Sequence, residues 1–109
     1  MSFADKMVLF GVLALAVGAA LALKLVPPNP VVGVRTSKTS SSREVWYAVN
    51  RSAGIDMAIA GIVIAATALV VPRLIPDYSE GASVLIIGTI VLFAVVITLA
   101  RILWQLRRL

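Results

Sequence analysis

Cysteine and histidine are both absent from this chain of 109 residues. Their absence removes disulfides, thiolate and imidazole metal sites, thiol nucleophiles and imidazole acid–base catalysis. Carboxylates are scarce: five Asp and Glu stand against ten Lys and Arg, giving a net charge of +5. No acidic residue falls at the middle of a long apolar run, so the simplest proton-driven antiporter design is missing. No carboxylate pair, Gly-rich phosphate loop or activated nucleophile occurs either. The expectation is a protein that is not an enzyme and carries neither cofactor nor metal.

What the chain has instead is hydrocarbon. Hydrophobic residues make up 61% of it, and the mean hydropathy is +1.03. A soluble domain of this length has nowhere to bury so much apolar surface, so lipid is the expected solvent. Three long apolar runs stand out, from about Met7 to Val26, from about Ala53 to Val71 and from about Ala82 to Leu103. Each holds about twenty residues, and at about 1.5 Å per residue that crosses a hydrocarbon core of roughly 30 Å. The reading is an all-α integral membrane protein, one module over residues 1–109, with three transmembrane helices. The first run has signal-peptide features, Lys6 ahead of it and Ala20-Leu21-Ala22 within it. It is long for a signal sequence, so it reads as a span.

Prolines set the expected helix ends. Pro27 and Pro28 should stop the first helix and Pro72 the second, because proline lacks a donor and restricts the residue before it. Basic residues set the expected orientation. The first loop and the C-terminus together hold Arg35, Lys38, Arg43, Arg51, Arg101, Arg107 and Arg108, with Lys24 at the border. The opposite side holds Lys6 and Arg73 beside Asp5, Asp77 and Glu80. The positive-inside rule then puts the N-terminus outside a prokaryotic inner membrane, and the first loop and C-terminus in the cytoplasm. Trp46, Tyr47 and Trp104 should lie near the inner interface, and Tyr78 near the outer one. Charges that flank spans are topogenic and face anionic lipid, which argues against nucleic acid as a partner.

Small residues recur at helical spacing: Ala14, Gly18 and Ala22 in the first run, then Gly54, Ala58, Gly61 and Ala65 in the second. Such spacing lets backbones approach closely, so the first two helices should be the close pair, within the chain or across a homo-oligomer.

The insert between the first two runs concentrates the polar side chains: Pro27-Pro28-Asn29-Pro30, Gly33-x-Arg35-Thr36-x-x-Thr39 and Trp46-x-x-x-Asn50. Ser41 and Glu44 fit a capping box, starting a helix that either runs unbroken through the second span or bends near Gly54. Trp46, Asn50 and Gly54 then share one face. The Asn29 amide can cap or bind, and Gly33 suits a turn of positive φ. Arg35 and Thr36, between Gly33 and Thr39, could form an anion-recognising pocket, with the guanidinium giving paired donors. Asn50 at the membrane boundary needs a partner, and the 35–39 segment is the nearest polar supply. Arg35 and Thr36 are therefore expected to approach Asn50 and Trp46. Asp56, about one turn inside the second span, could pair with Arg51 or Lys24.

Taken in order, Pro27-Pro28-Asn29, Gly33-x-Arg35-Thr36-x-x-Thr39, Trp46 and Asn50-x-x-x-Gly54 resemble the signature of the SdpI family of small prokaryotic membrane proteins. The resemblance implies a three-helix module in which this motif, as a structured cytoplasmic loop, joins helices 1 and 2. It also implies an immunity-type or signalling role towards a membrane-active peptide. The binding set on that reading is Asn29, Arg35, Thr36, Thr39, Trp46 and Asn50, recognising an antimicrobial peptide, a lipid headgroup or a regulatory protein. The alternative is a small oligomeric transporter, although the small multidrug transporters have four spans and a buried acid in the first. A membrane enzyme ranks below both.

Overall fold

A computed structural model describes residues 2–30, 32–37, 39–75 and 79–108. The expected interfacial place of Tyr78 and the environment of Lys38 lie outside them. The described residues are helical with no strand: α1 over Phe3–Ala22, α2 over Arg43–Leu74 and α3 over Glu80–Arg107, with one 3-10 turn at Thr39–Ser41. All three helices are long and apolar enough to cross a membrane. Large apolar side chains such as Leu13, Ile62, Leu85 and Leu92 stay exposed, as a lipid-facing surface requires.

The helix ends differ from the proline-based expectation. α1 starts early because Ser2 caps it: the Ser2 hydroxyl accepts from Asp5 N–H and the Asp5 carboxylate accepts from Ser2 N–H, a complete capping box. It ends at Ala22, before the prolines. Lys24 adopts φ 61°, its N–H donates to Leu21 O at 3.2 Å, and the Leu25 N–H donates to Ala20 O at 3.0 Å. This is a Schellman motif with lysine in the left-handed position that glycine usually takes. Pro27 and Pro28 follow a finished helix rather than breaking one. α2 passes through Pro72 to Leu74, since a proline in the last turn breaks the ladder only where the helix is ending. Its start is one residue later than the Ser41–Glu44 pattern suggests. Ser42 is the cap, accepting from Val45 N–H at 3.0 Å, because Ser41 is taken into the 3-10 turn.

α2 holds 32 residues, about 48 Å of helix, and outruns a bilayer core of roughly 30 Å. It does not break at Gly54; the Arg43–Ser52 stretch is continuous with the apolar span that follows it.

α1 and α2 pack antiparallel through glycine. A Cβ on Gly18 would lie 2.6 Å from Gly54 O, and one on Gly61 would lie 2.5 Å from Gly11 O. The expected small-residue pairing is thus made within one chain, with Gly11 as the contact that the four-residue stripe overlooks. Gly11 and Gly18, like Gly54 and Gly61, are seven apart. Seven residues bring a helix back almost to the same face. Backbone approach of this kind replaces the hydrophobic drive that lipid cannot supply.

α3 is held mainly at one end. Ala4, Ala68 and Ile87 form a small three-helix core there, with Phe3, Met7, Val8 and Val91 against it. The Phe3 N–H, one of the free donors of the α1 N-terminus, donates to Glu80 Oε1 at 2.6 Å. Ser83 and Ile87 are the buried residues of α3; beyond Ile87 none of its described residues is buried.

Candidate functional site

The segment between α1 and α2 has a donor deficit. Pro27, Pro28 and Pro30 have carbonyls but no N–H. Side chains make up the difference. Asn29 Nδ2 donates to Pro27 O at 2.7 Å and to Val32 O at 3.2 Å, while its Oδ1 accepts from Val32 N–H at 2.7 Å. The Arg35 guanidinium donates through Nη1 to Pro30 O. The Trp46 indole N–H donates to Val26 O at 3.0 Å.

Gly33, at φ 107°, then turns the chain against α2. A Cβ there would lie 2.7 Å from Asn50 Oδ1, so glycine is needed for both the dihedral and the space. The turn brings the Val34 backbone beside Asn50. Val34 N–H donates to Asn50 Oδ1 at 2.5 Å, and Asn50 Nδ2 donates to Val34 O at 3.3 Å and to Trp46 O at 3.0 Å. The amide pairs with the loop backbone as a neighbouring strand would. It is 1% exposed, and Trp46 beneath the loop is 0% exposed.

Thr36 and Thr39 close the segment. Thr36 N–H donates to Thr39 Oγ1 at 2.7 Å, Thr39 N–H donates to Thr36 Oγ1 at 3.1 Å, and the Thr39 hydroxyl donates to Thr36 O at 3.1 Å. The arrangement is a reciprocal turn of the kind threonine hydroxyls make with nearby backbone. Thr39 is fully buried and leads into the 3-10 turn.

The six candidate residues therefore form two layers. Trp46, Asn50 and Thr39 are buried and bind the chain's own backbone, and Asn29 holds the proline turn. Arg35 and Thr36 are exposed on the outside of that clasp. Asn50 meets Gly33 and Val34 rather than the Arg35 and Thr36 side chains. Sequence reasoning missed the main-chain atoms of Val26 and Val34, which no side-chain pattern marks. The donor-poor proline run followed by Asn, Arg and Trp N–H groups was the available signal.

Asp56 pairs with neither Arg51 nor Lys24. Its Oδ2 accepts from Arg101 Nε at 2.8 Å, joining α2 to α3, with the Arg101 side chain 62% and Asp56 15% exposed. Arg101 reaches it because antiparallel packing brings the last turns of α3 beside the first apolar turn of α2. Among the described residues no group of three or more His, Cys, Asp or Glu could hold a metal.

A family model described as the SdpI/YfhL protein family matches residues 24–101, from the α1 end through the clasp and α2 to Arg101. No curated protein and no solved structure matches the chain.

Proposed function

The chain belongs to the SdpI/YfhL protein family, a premise from which we propose an immunity-type membrane protein that works by binding rather than turnover. Its site is the outer layer of the 26–50 clasp. Arg35 and Thr36 contact the partner, while Asn29, Thr39, Trp46 and Asn50 position them. The supporting observation is the division of labour in the clasp. Buried amide, indole and hydroxyl groups fix a loop whose exposed guanidinium has one donor on Pro30 O and four more to offer. Among the described residues no carboxylate pairs with it. A planar, prepositioned guanidinium suits a carboxylate or phosphate group, such as the C-terminus or an acidic side chain of a membrane-active peptide.

Arg35→Lys tests this directly, because it keeps the charge and loses the fork. Cells expressing the chain would be challenged with a panel of membrane-active peptides at matched protein levels. Protection should fall about tenfold or more, the scale of one charge-assisted bidentate contact, with thermal stability unchanged. Protection equal to wild type would make Arg35 a topology charge and sink the proposal.

The proposed orientation places the clasp and the C-terminus in the cytoplasm, from the excess of basic residues at that end. A reporter that fluoresces only in the cytoplasm should be bright at the C-terminus and dark at the N-terminus. The reverse pattern would put the clasp outside.

A further inference from the structure

Along the half of the spans nearer the clasp, α2 and α3 border a groove of about 580 Å³. Its walls are apolar, with Ile59, Val63, Ile90, Phe93 and Ile97 facing the position of the bilayer. Its end is closed by Asp56 and Arg101. The same two residues border a second cavity of about 520 Å³, shared with Lys24, Arg51 and Ser52. Hydrocarbon walls thus run directly into a chamber with three cations and one carboxylate. Beyond it Ser52 and Arg101 also line a smaller recess with Trp104 and Arg108, whose guanidinium lies 4.7 Å from the indole ring centre.

We propose that this cleft is a binding site for an anionic phospholipid, with an acyl chain in the α2–α3 groove and the phosphate at Lys24, Arg51 and Arg101. Two features select that occupant. Between the Asp56–Arg101 end and Ile90 the groove's one polar side chain is Thr98, whose hydroxyl already donates to Ala94 O at 2.8 Å, so little is left to satisfy a peptide backbone, whereas an acyl chain needs nothing. The chamber keeps two positive charges after Asp56 is counted; a zwitterionic head brings its own ammonium and neutralises neither, whereas an anionic head such as phosphatidylglycerol neutralises one. Exposed Trp104 places the chamber at headgroup depth, and basic pockets between spans at that depth suit phosphate heads. Asp56 holds the Arg101 Nε and leaves the rest of its guanidinium for the lipid. The site is separate from Arg35 and does not depend on the immunity reading.

The test uses the full chain purified in a non-ionic detergent. Native mass spectrometry would count lipid retained after addition of phosphatidylglycerol or phosphatidylcholine, and thermal unfolding would be followed with each lipid and with inorganic phosphate. Phosphatidylglycerol should be retained roughly tenfold better than phosphatidylcholine, and inorganic phosphate should not raise the melting temperature. Lys24→Gln with Arg51→Gln should remove the preference, while Lys6→Gln with Arg73→Gln at the opposite end should keep it. Val63→Trp fills the groove from an exposed position and should lower retention with every charge in place. Equal retention of the two lipids overturns the site, as does an unaffected Lys24/Arg51 variant. Stabilisation by phosphate alone would reduce it to an anion site without a chain, and a peptide in place of lipid in the spectrum would also refute it.

Discussion

Gly18→Ala should destabilise the folded protein, and Gly88→Ala should not. The two substitutions are chemically identical and both lie inside spans. A Cβ on Gly18 would sit 2.6 Å from Gly54 O and 2.6 Å from Ala58 N, whereas one on Gly88 meets nothing within 4 Å. The atoms in the way at Gly18 are backbone, so no rotamer change relieves them and the helices must separate. Overpacking of this kind costs about 1–3 kcal/mol. Separation would also loosen the Gly11–Gly61 contact one heptad away, because both contacts share the same two helices. Gly88→Ala instead gains helix propensity, up to about 1 kcal/mol in an aqueous helix. Thermal unfolding in detergent, followed by circular dichroism, should show melting temperatures moving apart in the two variants. If Gly18→Ala melts with the wild type, the close backbone approach of α1 and α2 is wrong.

That interface was largely legible in the sequence because it is periodic. Glycine and alanine at helical spacing mark which faces can meet, and the pairing of Gly18 with Gly54 follows once the helices are antiparallel. The three spans were legible for a similar reason, since hydropathy over twenty residues is a strong signal. Helix ends were less so. Prolines drew attention to residues 27 and 72, but an unmarked lysine ends α1, and only its positive φ shows it. The clasp was legible by residue type and not by geometry. Trp46, Asn50, Thr39 and Arg35 could be picked out as polar groups needing partners. Their partners include the carbonyls of Val26, Pro30, Val34 and Thr36 and the N–H groups of Val34 and Thr36, and every residue but proline offers the same main-chain atoms. The Asp56–Arg101 pair was missed because it joins residues 45 apart, a proximity fixed only when α3 folds back.

Asn50→Ala should release the loop without dissolving the helices. Its side chain is the one group that ties the 33–34 backbone to α2 from both sides, accepting from Val34 N–H and donating to Val34 O. Truncation leaves that N–H and that carbonyl, both part-buried, without partners. An orphaned buried polar group costs about 1–3 kcal/mol, so the local opening equilibrium should rise by roughly 10- to 100-fold. Gly33→Ala should act in the same direction by a different route, since φ 107° is strained for any side chain and the new Cβ would press on Asn50 Oδ1. Asn50→Asp is the sharpest probe because it keeps the shape. The oxygen that replaces Nδ2 would face two carbonyls, Trp46 O and Val34 O, so the loss should be at least that of alanine. Trypsin reads the opening, since Arg35 and Arg43 flank the 3-10 turn and cleavage needs several residues to unfold. All three variants should be cut at these arginines roughly 10- to 100-fold faster than wild type, while their helical circular dichroism stays nearly unchanged. Arg35→Lys, outside the inner layer, should be cut at the wild-type rate. If Asn50→Ala resists trypsin as the wild type does, the amide is not what holds the clasp, and the positioning role given to it falls with that result.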